Sequence, residues 1–468
     1  MRPARFAGRR IDRTTATAVA VAGAAALLRV PRLADPFWQD EVASARILRE
    51  PTVGRMLAHV ARTESTPPLW YALAWLAHRL GAPLQDVRGL SVLFGAVLAG
   101  LTVVAARAVL PLAPAALAGV LVAVGGQFAA AGWELRAYAL LALLSVVFAL
   151  ALERAVTQPA RWSAAVLVLV TSAGLLTHYF FAFTAAAGGA WLWLEPHARS
   201  SRRRVTLALL GGAALAAPWL PFAVRQYRQD RFSWIGGFDG KVVANTAFRL
   251  FTPLVQTEWV PLVFLLLVVA GAVRLARSSP RGRLFAALGL GPLLAAAVVW
   301  RLGVRVYADR NLIEVGAFLA VCAAAGLAAF APRVRTAVVV ALGVAALAGF
   351  VWDQRAPGAP YARIAAALVS EGWSPTQPVM VFGSPYAFRS PLEWYLPRDP
   401  RLAIVGPARS DCRIGYVVAG RRAARGVADD VLDGQTVGRF LVARARLDDR
   451  ARDASLLAAP AARTRCEA

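Results

Sequence analysis

Apolar runs of membrane-crossing length dominate this chain. They centre on residues 14–30, 88–110, 113–131, 138–154, 162–177, 179–195, 205–222, 259–276, 284–300, 311–330 and 335–351. Each approaches the ~20 residues an α-helix needs to cross a hydrocarbon core. Backbone N–H and C=O groups in lipid must be satisfied inside the segment, which helices do. The expected fold is an all-α polytopic membrane domain of about eleven transmembrane helices over residues 1–355. Residues 162–195 form one long apolar stretch broken by Thr177-His178-Tyr179, so they read as two helices folded back with His178 at the turn. A content of 58% hydrophobic residues and a mean hydropathy of +0.53 fit this class and exclude an ordinary soluble protein.

Arginine placement sets the orientation. The net charge of +25 is almost wholly arginine, with Lys241 the single lysine. Met1–Arg13, Arg154–Arg161, His197–Arg204, Arg274–Arg283 and Arg333–Arg335 are Arg-rich and poor in acids, and read as cytoplasmic loops. The opposite loops hold most of the acids and tryptophans. The N-terminus is therefore expected in the cytoplasm and the C-terminus outside the cell membrane. Arginines scattered between apolar spans argue against nucleic acid as a partner. The basic start followed by an apolar run imitates a secretory signal. Arg29 and Arg32 follow it without a small-residue cleavage site, so it reads as an uncleaved first span.

Composition shifts after the Pro/Gly linker Ala356–Pro360. Tyr361–Trp373 reads as a helix, and Val379–Phe382, Leu402–Val405, Ile414–Val418 and Phe440–Ala445 read as strands. A small α/β extracytoplasmic domain over residues 356–447 is expected, with a disordered tail over 448–468. Cys412 and Cys466 lie in this region and would be free to pair outside the cell, though spacing does not decide it. Cys322 reads as packing.

The residues with chemistry gather on the outer loops. Asp40 and Glu41 follow the first run. A charge at the bilayer centre costs about 3 kcal/mol on insertion scales, so acids at such boundaries mark sites. A carboxylate can remove the proton of a hydroxyl as it attacks. The plain alternative is a helix C-terminus with solvated acids, which the helix dipole disfavours. Pro67, Pro68 and Tyr71 sit in Thr66-Pro67-Pro68-Leu69-Trp70-Tyr71, and Pro68–Leu80 reads as an interfacial helix. Glu134, Arg136 and Tyr138 share the second outer loop. The acid could support a base and the planar arginine fork could take a phosphate, or the two could form an interfacial salt bridge with an aromatic anchor. Arg305 and Arg310 precede the tenth run and could stabilise a leaving phosphate or snorkel to headgroups. His178 is a phosphate contact or a packing histidine.

In their order and sidedness these motifs resemble the membrane glycosyltransferases of the GT-C class, in the family 39 branch that is protein-mannosyltransferase-like and aminoarabinose-transferase-like. The carriers are Asp40-Glu41, Pro67-Pro68-Leu69-Trp70-Tyr71, Arg88-Gly89-Leu90-Ser91 and Glu134-Leu135-Arg136-Ala137-Tyr138, within residues 10–330. Thr66 and Asn311 depart from the family's usual His or Lys and Tyr. The resemblance implies a GT-C fold and inverting transfer of a sugar from a polyprenyl-phosphate donor to a glycan, lipid or protein acceptor. Asp40 would be the catalytic base, with Glu41 and Glu134 as its acidic partners. Arg136, His178, Arg305 and Arg310 would meet the donor phosphate. No cofactor is required, since the lipid phosphate leaves as a stable anion, while a divalent metal stays open. A membrane transporter or flippase is the competing class; it predicts repeated halves and polar groups at mid-membrane, and no internal repeat is evident.

Overall fold

The computed structural model describes residues 12–229, 235–251, 259–328, short pieces of 330–344, 360–373, 391–396 and the strands named below. The chain divides into two compact units: residues 1–33 with 47–355, and residues 34–46 with 356–468. Each is described by itself.

The first unit is helical. Among the described residues seven helical segments are long and apolar enough to cross a membrane: Arg13–Ala34, Asp86–Arg107, Tyr138–Thr157, Pro196–Arg228, Pro261–Ser278, Pro280–Arg301 and Asp309–Leu327. Leu112–Val124, Arg161–Thr177 and Phe181–Leu194 are shorter apolar helices. In chain order the helices are α1 (Arg13–Arg29), α2 (Gln39–Leu48, which belongs to the second unit through Arg46), α3 (Val53–Thr63), α4 (Leu69–Arg79), α5 (Gly89–Arg107), α6 (Leu112–Val124), α7 (Gly126–Ala131), α8 (Tyr138–Thr157), α9 (Arg161–Thr177), α10 (Phe181–Leu194), α11 (Arg202–Ala216), α12 (Leu220–Arg228), α13 (Gly240–Arg249), α14 (Trp259–Ser278), α15 (Pro280–Arg301) and α16 (Gly316–Leu327). The expected run 113–131 is thus two helices, α6 and α7, parted at Gly125. The expected run 335–351 and the start Met1–Ile11 fall largely outside the described residues.

Helix ends follow local chemistry. Asp12 caps α1, its carboxylate accepting from the Thr15 N–H at 2.9 Å. Ser279 caps α15 by accepting from the Gly282 N–H. Packing in lipid has little hydrophobic drive, so small residues let helix backbones approach. The tightest case joins α14 to α16. A Cβ at Gly271 would collide with the Cys322 carbonyl oxygen, and one at Gly326 with that of Leu267.

The second unit contains a five-stranded sheet: β1 (Val379–Phe382), β2 (Ile404–Val405), β3 (Tyr416–Gly420), β4 (Leu432–Val437) and β5 (Phe440–Ala445), in the order β2-β1-β3-β5-β4. β1 runs parallel to β2 and β3, while β5 is antiparallel to β3 and β4. The helix Tyr361–Ser370 buries Ile364, Ala365, Ala367 and Leu368 and packs against β4 and β5. β4 is absent from the sequence expectation; its Leu-Asp-Gly-Gln start has little strand propensity, and pairing with β5 supplies the order. The tail 448–468, Cys412 and Cys466 lie outside the described residues.

Candidate functional site

In the first unit the loop between α3 and α4 and the loop between α7 and α8 meet through a buried ion pair. α3 stops at Glu64, whose backbone is extended, and α4 starts after Pro68. A residue before proline is kept out of the helical region, so Pro67-Pro68 holds the break open. This leaves Tyr71 on the first turn of α4, where its hydroxyl donates to Glu64 Oε2 at 2.6 Å. Arg136 Nη1 donates to the same oxygen at 3.0 Å and to the Tyr71 hydroxyl at 3.1 Å. Thr66 Oγ1 lies 3.3 Å from that hydroxyl. The Arg136 and Glu64 side chains are only 9% and 6% exposed, so the pair sits at low dielectric, where each charge depends on the other. Burial, opposed by the Arg136 charge, pushes the Tyr71 hydroxyl well above its ordinary range, so it stays protonated and donating.

A second set lies at the α9–α10 turn. α9 ends at Thr177 and α10 begins at Phe181, with His178 buried between them. The turn is fastened by Tyr179, whose hydroxyl donates to Gln226 Oε1 at 2.7 Å and accepts from Trp219 Nε1 at 3.0 Å. Gln226, on α12, in turn donates to the Val60 carbonyl of α3 at 3.2 Å. His178 Nδ1 accepts from the Phe180 N–H at 3.3 Å, which puts the imidazole proton on Nε2. Burial first, then the positive charges of Arg136 and Arg310, pull its pKa down to about 3. It is therefore neutral and can offer an N–H but no charge. The His178 ring lies 5.8 Å from that of Tyr138, and the Arg310 guanidinium lies over the Tyr138 ring, 5.9 Å from its centroid.

The Arg88-Gly89-Leu90-Ser91 motif holds these loops. Arg88 Nη1 donates to the Leu33 carbonyl at 3.0 Å, and Ser91 Oγ donates to the Glu134 carbonyl at 2.6 Å. Arg29, at the end of α1, reaches the Phe128 carbonyl of α7 at 3.1 Å, and the Arg32 guanidinium lies 5.0 Å from the Trp133 ring centre. Glu134 itself is half-buried.

Of the residues expected from sequence, the first unit links Tyr71, Arg136, Tyr138, His178 and Arg310 through these contacts. Pro67 and Pro68 shape the loop that presents Tyr71. Arg305 is exposed. Arg136 differs from expectation in being engaged by Glu64. Glu64 is the residue that sequence reasoning missed. Its one signal was an acid three positions before Pro67, in a stretch read only for its prolines.

Asp40 and Glu41 belong to the second unit, and their local setting removes the alternative of a helix C-terminus. The chain leaves α1 through a 3-10 turn, Val30–Ala34, and the pair opens a new helix, α2. The acids stand in its first turn, where the dipole favours them; they do not close the preceding helix. Glu41 Oε2 accepts from the Trp38 N–H at 3.2 Å, tying the start of the helix. Glu41 is buried and Asp40 half-buried. Among the described residues no group of three or more His, Cys, Asp or Glu gathers as metal ligands.

Comparison with protein-family models and with curated proteins finds no match. Solved structures do match. The apo structure of ArnT, an aminoarabinose transferase from Cupriavidus metallidurans, aligns over 96% of this chain and 100% of its own, with a TM-score of 0.58 at 14% identity. The same protein bound to undecaprenyl phosphate aligns over 97% and 98% with a TM-score of 0.51 at 14% identity. The archaeal oligosaccharyltransferase AglB from Archaeoglobus fulgidus, in complex with an inhibitory peptide and a dolichol-phosphate, aligns over 87% of this chain and 69% of its own, with a TM-score of 0.55 at 12% identity. The fold is the GT-C fold. The polytopic helical architecture expected from the apolar runs is that of these membrane glycosyltransferases.

Proposed function

We propose that this chain is an integral-membrane glycosyltransferase that moves a sugar from a polyprenyl-phosphate donor to a hydroxyl acceptor, with inversion, on the outer face of the membrane. The observation that carries the reading is the convergence of Arg136, His178, Tyr138 and Arg310 on a fold shared with an enzyme solved with undecaprenyl phosphate.

A departing phosphate needs donors placed where its negative charge grows. Arg310 supplies a cation and His178 Nε2 a neutral N–H. Arg136, fixed by Glu64 and Tyr71, supplies a cation whose direction is set in advance. In this mechanism Asp40 takes the proton of the acceptor hydroxyl as it attacks the anomeric carbon opposite the phosphate. Glu41, its neighbour in the first turn of α2, supports that base. The anomeric C–O bond to phosphate breaks as the new glycosidic bond forms, and the proton resides on Asp40 until it passes to solvent. The C-terminal unit is extracytoplasmic in this reading, and the acceptor is a glycan, lipid or protein.

The test is to incubate the purified protein with a panel of polyprenyl-phosphate sugars and follow release of polyprenyl phosphate together with a glycosylated product. Release with at least one donor is expected. Movement of an intact lipid-linked sugar across vesicles without bond cleavage would favour a flippase.

A further inference from the structure

The segment bearing Asp40 and Glu41 is gripped on both sides by three consecutive residues of the C-terminal region, all within the second unit. Before the pair, the Tyr395 hydroxyl donates to the Phe37 carbonyl at 3.1 Å, and the Trp394 ring meets the Phe37 ring edge-on at 6.3 Å. After the pair, Glu393 Oε2 accepts from Arg46 Nη2 at 3.4 Å. The gripping turn, Pro391–Tyr395, is itself anchored, with Leu392 and Leu396 buried.

From this we infer that Glu393, Trp394 and Tyr395 are positioning residues for the reaction, and that the C-terminal region serves as a clip that sets the direction of the helix carrying the carboxylate pair. The inference rests on the reading of Asp40 and Glu41 as the reactive acids. The energetics separate a positioning role from a scaffolding one. The Arg46 and Glu393 side chains are 37% and 29% exposed, and an ion pair of that exposure contributes little to stability. Together, however, Glu393 at Arg46 and Trp394 and Tyr395 at Phe37 bracket the carboxylate pair, so a small loss of binding there becomes a rotation or shift of α2. Misplacement of a catalytic group by about 1 Å can cost on the order of 100-fold in rate. A general base must lie within hydrogen-bond reach of the proton it removes, so its orientation is rate-determining in a way that substrate affinity is not.

The experiment compares Tyr395→Phe, Arg46→Glu, Glu393→Arg and the double exchange Arg46→Glu/Glu393→Arg with wild type and Asp40→Asn in one transfer assay, with melting temperature recorded for each. Tyr395→Phe is expected to lower kcat about 10-fold with donor KM unchanged and with the shape of the pH–rate profile retained. Each single charge reversal is expected to lower kcat, and the double exchange to recover most of it. If Asp40→Asn is inactive while Tyr395→Phe and both reversals keep the wild-type kcat, the clip is overturned and the base assignment stands. A fall in activity that only tracks loss of folded protein, with kcat per folded enzyme constant, also overturns it. If Asp40→Asn keeps full activity, it is the underlying reading that fails.

Discussion

Glu64 accepts from both Tyr71 and Arg136, so its removal takes a buried carboxylate from a buried guanidinium and an acceptor from the hydroxyl. Breaking such a pair typically costs about 3–5 kcal/mol. Glu64→Ala is therefore expected to lower the melting temperature markedly, while Tyr71→Phe, which deletes one donor, costs about 1–2 kcal/mol. Thermal unfolding in detergent checks both. His178 gives a pH prediction. Its folded pKa, about 3, lies below the ordinary 6.5, so the unfolded state binds the extra proton between those values. Stability from this group is complete above about pH 6.5 and is lost as pH falls toward 3. His178→Gln is expected to flatten that part of the melting curve against pH; an unchanged slope contradicts a neutral buried imidazole. The individual residues were partly legible in sequence. Arg136, Tyr138, His178 and Arg310 stood out because charged or ring side chains at apolar boundaries are costly unless used. Glu64 was hidden because its partner lies 72 positions away, and a pairing of that range leaves no local pattern.

At the scale of elements, the apolar runs marked α1, α5, α8, α14 and α15 closely because length and hydropathy alone decide such helices. Amphipathic α3, between the first two apolar runs, and α13 went unread, and so did the break at Gly125. The start of α2 went unread for a physical reason: a 3-10 turn of five residues separates it from α1, and no composition change marks the restart. Contact between α14 and α16 is the most demanding in the first unit. Gly271→Leu is expected to destabilise the fold by about 1–3 kcal/mol or more, since the new side chain must displace the Cys322 backbone. Gly189→Ala, where a Cβ meets nothing within 4 Å, is expected to be near neutral. Equal melting temperatures for the two would argue against the close approach.

For the whole molecule, the arginine bias predicts sidedness. A cysteine introduced at Ser200 is expected to be shielded from a membrane-impermeant maleimide in intact cells. One introduced at Ser370 is expected to react, in a background where Cys412 and Cys466 are replaced by serine. Reaction at Ser200 alone would invert the proposed topology. The division of the chain at residue 356 followed a visible composition shift, whereas the grouping of Ala34–Arg46 with the C-terminal residues had no sequence signal, because it depends on contacts across more than 340 positions. Asp40 is proposed as the base of a lipid-phosphate-dependent sugar transfer. Its most direct test is transfer from radiolabelled polyprenyl-phosphate sugars by wild-type and Asp40→Asn protein in the same membranes. A loss of about 10²–10⁴-fold in the variant, with donor binding retained, is the predicted result; transfer at the wild-type rate by Asp40→Asn would contradict it.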